Sequence, residues 1–152
     1  MDKRRILRQQ LNVKFAQLPI LREMNNPPSG WVSAVRNALG ITLEQLGRKL
    51  GVSKQNILEL EKREITGNIT LRNLRNVADA LDMQLVYGFI PKDTTLDALI
   101  ERKAKEKAIE IVMRTHQTMM LEAQEISRQK IELAISEKTE ELKMKIPKFL
   151  WD

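Results

Sequence analysis

A chain of 152 residues with 26 Lys/Arg, 20 Asp/Glu and no cysteine can bury a core, but it can build no disulfide, thiolate nucleophile or thiolate metal site. No apolar run approaches the roughly 20 residues that cross a bilayer, and the basic start MDKRRILRQQL is followed by polar residues rather than by a signal-peptide core, so a cytoplasmic protein with no membrane-bound part is expected. The net charge of +6 is uneven: residues 1–63 hold +7 and the rest sum to −1, which suits a polyanion-binding face confined to one end.

In chain order, residues 3–18 place Leu7, Leu11, Phe15 and Leu18 at spacings of four and three, the apolar stripe of a helix, with Arg4, Arg5 and Arg8 mostly off it. Pro19 ends that helix. The three arginines either reach a neighbouring phosphate or minor groove as an arm, bind an acidic membrane surface, or form a solvated face. NNPPSG, from Asn25 to Gly30, has no periodicity and reads as a linker.

Four short helices with explicit punctuation follow. Ser29 is placed to cap a helix from about Trp31 to Leu39, and Gly40 suits the left-handed residue that closes it. Thr42, with Gln45 three residues on, is a capping box; it opens a helix that stops near Leu50, before Gly51. Ser53 caps a third helix, from Lys54 to about Arg63. Gly67 breaks the chain, and Thr70 opens a fourth helix with Leu71, Leu74, Val77, Ala78 and Leu81 on one face.

MQLVYGFI, from Met83 to Ile90, is the one convincing strand pattern, and it stops at Pro91. A single strand cannot satisfy its own backbone, so the expected partner is the same strand of a second copy, making a homodimer. Beyond Asp93, Leu96, Ile100, Ala104, Ala108, Ile111/Val112, Thr115, Met119 and Ala123 trace one face of a long helix. A second helix is expected from Lys130 to Lys145, with Ile131, Ile135 and Leu142, and IPKFLWD closes the sequence with apolar residues that look exposed.

The segment TLEQLGRKLGVSKQNILELEKRE (residues 42–64) carries the chemistry. Two helices that meet steeply need a small residue where they cross and a tight turn between them. Gly47 supplies the first, Gly51 the second, and Val52 is expected as a buried plug beneath the turn. Leu46, Leu50, Ile57 and Leu60 fall where the two helices share a core. In the recognition helix from Lys54 to Arg63, Lys54 can donate to guanine O6/N7, and Gln55 or Asn56 can pair with adenine N6/N7. Ser53 and Gln45 are candidate phosphate contacts. Arg48, Lys49, Lys62 and Arg63 are expected to flank the DNA backbone and contribute affinity rather than sequence reading.

These residues resemble the phage-repressor, or XRE, class of DNA-binding domains, whose pattern is met by Thr42, Gly47, Gly51-Val52-Ser53, Ile57 and Leu60-Glu61. The resemblance covers about Trp31 to Leu81 and implies that Arg36 pairs with Glu61. Leu43 departs from it, standing where such repressors often carry a phosphate-touching glutamine. More narrowly, PPSGWVSAVRNALGITLEQLGRKLGVSKQNILELEKRE, ALDMQLVYGFIPK and the terminal LWD look like the family called mobile mystery protein A, XRE-type proteins that accompany a Fic-domain partner. That likeness implies a regulator, and a candidate antitoxin, in a two-gene module.

Enzymatic chemistry is not expected. His116 is the one histidine, so neither a multi-histidine metal site nor a Cys-His pair can form, and no G-x-S-x-G, G-x-x-x-x-G-K-[ST] or G-x-G-x-x-G frames a catalytic or phosphate loop. Glu140 and Glu141 are adjacent and point apart on a helix. No cofactor and no metal are expected. Met113, Met119, Met120 and Leu121 put adaptable apolar side chains close together, either to complete the core and dimer or to dock a partner protein.

The expected architecture is mainly all-α: a basic N-terminal helix and linker (1–28), a repressor-like helix-turn-helix domain (29–82), a dimerising β-strand with its connector (83–95), and a C-terminal helical extension (96–152). The expected function is a sequence-specific DNA-binding transcriptional regulator acting on double-stranded DNA as a homodimer, an autorepressor of a two-gene module. The alternative is an antitoxin-like protein that masks a Fic-type partner through its C-terminal helices.

Overall fold

The computed structural model describes residues 2–121 and 127–152. It contains α1 (Lys3–Ala16), α2 (Ile20–Glu23), α3 (Trp31–Ala38), α4 (Leu43–Leu50), α5 (Lys54–Thr66), α6 (Leu71–Ala80), α7 (Leu96–Leu121), α8 (Arg128–Lys145) and a closing 3-10 turn (Lys148–Trp151). Two compact units result: residues 20–88, and residues 1–19 together with 89–152.

The first unit is organised by its caps. Thr42 and Gln45 form the expected capping box, Ser53 and Thr70 accept from the third backbone N–H of α5 and α6, and Gly51 and Gly67 close α4 and α5 in the left-handed conformation. Four helices with fixed ends then bury Val32, Leu46, Ile57, Val77 and Leu81 in one core, with Val35, Ile41, Leu50, Leu60 and Leu74 packed around it. Leu46 and Ile57 are fully enclosed, as their place between the two helices requires. Leu71, assigned to the buried face of α6, is instead exposed at the helix's first position.

Ser29 is not the cap of α3. Gly30 holds the N-cap position at φ 83°, and the first two backbone N–H groups of the helix are taken by Glu64 from α5: Trp31 N donates to Oε2 at 2.7 Å and Val32 N to Oε1 at 2.9 Å. A carboxylate answers both the unsatisfied donors and the positive end of the helix.

Residues 83–90 do not form the expected β-strand. They carry no regular secondary structure: no ladder partner lies beside them among the described residues, and side-chain composition cannot replace that partner. Arg75 instead holds this segment to α6, donating to the Tyr87 hydroxyl at 3.3 Å with its guanidinium 5.6 Å from the ring centre.

In the second unit α7 and α8 pack along each other around Ile100, Ala104, Ala108, Leu142 and Leu150, with Ile111, Ile135 and Ile146 half-buried beside them. Small Ala104 and Ala108 let the helices approach closely. α8 starts at Arg128, capped by Ser127, two residues before the expected Lys130. Leu150, grouped with an exposed apolar end, is in fact 2% exposed and belongs to this core; Phe149 and Trp151 do face solvent. Ala123 and the side chains of Met119, Met120 and Leu121, counted in the apolar face of α7, lie outside the described residues.

α1 belongs to this unit because it organises the start of α7. Asn12 accepts from Leu96 N at 3.0 Å and donates to Asp97 at 2.8 Å, and Arg8 pairs with Asp97 at 3.4 Å. Arg8 is therefore held by its own protein, which removes it from the arm set; Arg4 and Arg5 remain exposed. Leu11, Phe15 and Leu18 of the stripe are half-buried, whereas Leu7 is exposed.

Candidate nucleic-acid interface

The site is built on α4, the turn, and α5. Gly47 is buried, and a Cβ there would lie 2.6 Å from the Val52 carbonyl oxygen, so the turn folds back onto α4 only because this residue has no side chain. Val52 N donates to the Gly47 carbonyl at 2.8 Å, and Gly51 supplies the left-handed bend between them. Val52 itself is 39% exposed, not a buried plug. Its backbone closes the turn against Gly47, which leaves the side chain free to face outward.

Beneath this surface lies an ion pair. Arg36 Nε meets Glu61 Oε1 at 2.7 Å, with a second, longer contact at 3.4 Å, and Arg36 also donates to the Ile41 carbonyl at 3.0 Å. Both side chains are 11% exposed. The guanidinium thus ties α3, the loop before α4, and α5 together, and each charge in this low-dielectric setting depends on the other. The pairing is the one that the repressor resemblance implies.

Every candidate contact residue, namely Gln45, Arg48, Lys49, Ser53, Lys54, Gln55, Asn56, Lys62 and Arg63, is exposed. Gln45, Arg48 and Lys49 line one shallow concavity with Ile41. Gln45 already accepts from Thr42 N at 2.8 Å, so its amide N–H groups are the part left to donate outward. Ser53 accepts from Asn56 N at 3.2 Å, and Lys54, Gln55 and Asn56 follow as the first exposed turn of α5. Lys62 lies two turns further on, about 12 Å along the axis. Arg63, nine residues and two and a half turns beyond Lys54, projects from the opposite flank of α5, so these two are not brought together.

Two acids also stand on this surface among the cations. Glu44, in the first turn of α4, pairs with Lys54 at 3.1 Å, and Glu59 approaches Lys62 at 3.7 Å. The Glu44 carboxyl is held below the usual carboxylate range, first by a backbone hydrogen bond from its own residue and then by Lys54. Glu59 was legible as an i,i+3 partner on one helix. Glu44 was not, because ten residues and a turn separate it from Lys54.

Small core residue, left-handed turn, capped second helix and exposed polar first turn now stand together. Residues 32–87 match the helix-turn-helix family model. The match to that family model, of the XRE type, spans α3 to α6 and part of the segment that follows. It does not reach the narrower likeness to mobile mystery protein A. No curated protein and no solved structure matches the chain. The helix-turn-helix family is one of DNA-binding regulators, and no helix among the described residues is long and apolar enough to cross a membrane.

Among the described residues no three His, Asp or Glu side chains gather as a metal site would require. Glu140 pairs with Lys143, and Glu141 with Lys138 and Lys145, as ordinary surface partners. His116 is half-buried on α7, with its Nδ1 shielded from solvent.

Proposed function

We propose that the protein is a sequence-specific DNA-binding transcriptional regulator that lays α5 in the major groove. The observation that carries this reading is the exposed Lys54-Gln55-Asn56 turn, fixed by the Ser53 cap and the Gly47 crossing, within a matched helix-turn-helix. In the proposed assignment Lys54 donates to guanine O6/N7 and Gln55 or Asn56 pairs with adenine. Ser53, Gln45, Arg48, Lys49, Lys62 and Arg63 contact phosphate.

A homodimer through residues 83–90 completes the proposal. This stretch has no helix or strand of its own and carries the exposed Val86, Tyr87 and Phe89. Within residues 20–88, an apolar groove of about 360 Å³, lined by Trp31, Val35, Leu74, Leu81, Leu85 and Val86, adjoins it. Pairing with the same segment of a second copy answers its backbone groups and covers apolar surface together. Two copies then present two α5 helices to half-sites about one DNA turn apart. Autorepression of a two-gene module, with a Fic-type partner, rests on the sequence likeness to mobile mystery protein A.

The test is fluorescence anisotropy of the purified protein on DNA from immediately upstream of its gene and on a scrambled duplex, across a salt series. Tight, selective binding that weakens steeply with salt is expected. Equal, weak binding to both duplexes removes the autorepressor assignment.

A further inference from the structure

We propose that Glu44 is a specificity-determining residue of the reading surface: its carboxylate holds Lys54 and cancels that lysine's pull on phosphate, so that Lys54 gains chiefly where it meets a guanine edge. The inference rests on the DNA-binding reading of α4 and α5.

Lys54 is the first residue of α5 and Glu44 lies in the first turn of α4, so the pair bridges the two helices across the turn rather than decorating one of them. Nζ and Oε1 are 3.1 Å apart, and both side chains are 56% exposed, at the surface where DNA would arrive. Among the described residues, Arg48, Lys49 and Arg63 have no carboxylate within ion-pair distance. Of the four cations assigned to phosphate, these three therefore keep their pull and Lys62 has Glu59 at a looser 3.7 Å on its own helix, while the one assigned to base reading is held at 3.1 Å from across the turn.

That division has a physical consequence. A free ammonium gains from any phosphate, whatever the sequence, through counterion release. Paired with Glu44, it brings almost no net charge to a loosely docked duplex, and the carboxylate repels nearby phosphate oxygens. An ammonium has three N–H donors, so one can serve Glu44 while two remain for guanine O6 and N7. Short-range hydrogen bonding survives the pairing and long-range attraction does not. Glu44 thus lowers affinity for wrong DNA more than for right DNA, which is how discrimination is raised without a new attractive contact.

The experiment uses the full-length protein and its Glu44→Gln variant, which keeps size and hydrogen bonding while removing charge. Two duplexes serve as probes: one enriched from a random library by the wild-type protein, and a scrambled duplex of the same composition. Anisotropy is followed across a salt series, with matching urea transitions as the check on folding. In the variant, affinity for the scrambled duplex should rise by roughly two- to fivefold, from the size of an exposed ion pair. The enriched duplex should gain less, so the ratio between them falls, and the salt slope on scrambled DNA should steepen by about 0.9, one phosphate's worth. An equal gain on both duplexes, no change, or a loss on both overturns the inference. Wild-type protein that binds no duplex in a salt-sensitive way overturns the DNA-binding reading itself.

Discussion

Gly47 shows how much a single missing side chain decides. Its backbone lies against the Val52 carbonyl, which cannot swing away as a flexible side chain can. Gly47→Ala should therefore destabilise the helix-turn-helix by about 1–2 kcal/mol net, the strain outweighing the roughly 1 kcal/mol that alanine gains in helix propensity. Urea denaturation followed by circular dichroism measures this, and a stabilised variant would show that the turn can yield. The contact residues separate by role. Lys54→Ala should cost about 1–3 kcal/mol on the selected DNA and relax the preference at one base, whereas Lys62→Ala should weaken all sequences alike and flatten the salt slope. Loss confined to the cognate site in the Lys62 variant would reverse that assignment.

At the scale of elements, the helices are held as much by their ends as by their faces. Glu64 serves two N–H groups of α3 from a different helix, so Glu64→Ala should cost about 1 kcal/mol and loosen the start of α3, detectable as faster amide exchange at Trp31 and Val32. Unchanged exchange would mean that water caps the helix equally well. α8 carries a pH-dependent contribution. The Glu141 carboxyl is lowered by Lys145 first and Lys138 second, from an unfolded value near 4.5. Because the folded value is the lower one, this stability is fully present above about pH 4.5 and is lost as pH falls through the folded value. Glu141→Gln should remove that part of the acid sensitivity in a thermal-melting series below neutral pH, and a variant that keeps the same acid profile would assign the sensitivity elsewhere.

For the whole molecule the deciding question is the copy number. Val86 is 71% exposed at the edge of an apolar groove. Sedimentation should show a dimer at micromolar concentration. Val86→Asp should shift it to monomer and weaken binding to a two-half-site duplex by about tenfold or more, as the second contact loses its tether. A wild-type monomer at that concentration removes the dimer.

Local chemistry made much of this protein legible. Thr42, Ser53 and Thr70 act on backbone groups three residues away, and Gly40, Gly51 and Gly67 adopt left-handed φ because other residues rarely do, so the order and starts of α4, α5 and α6 followed from sequence, although α5 runs on to Thr66, past the expected Arg63. The Gly47 crossing and the buried Leu46 and Ile57 followed from spacing, and the exposed Lys54-Gln55-Asn56 turn from its place behind a cap. Other features were decided in three dimensions. Glu64 displaced Ser29 as the answer to α3, Glu44 reached Lys54, Asp97 claimed Arg8, and Leu150 turned into the α7–α8 core. Each joins residues ten or more positions apart, or depends on which side of a terminal turn faces a neighbour. Residues 83–90 mark the same limit, since a strand is a property of two segments and composition describes one. The sequence by itself determined the capped starts of α4, α5 and α6 and the reading turn because those depend on neighbours along the chain; the ion pairs and caps between elements needed the tertiary structure, because only packing brings distant charges within reach.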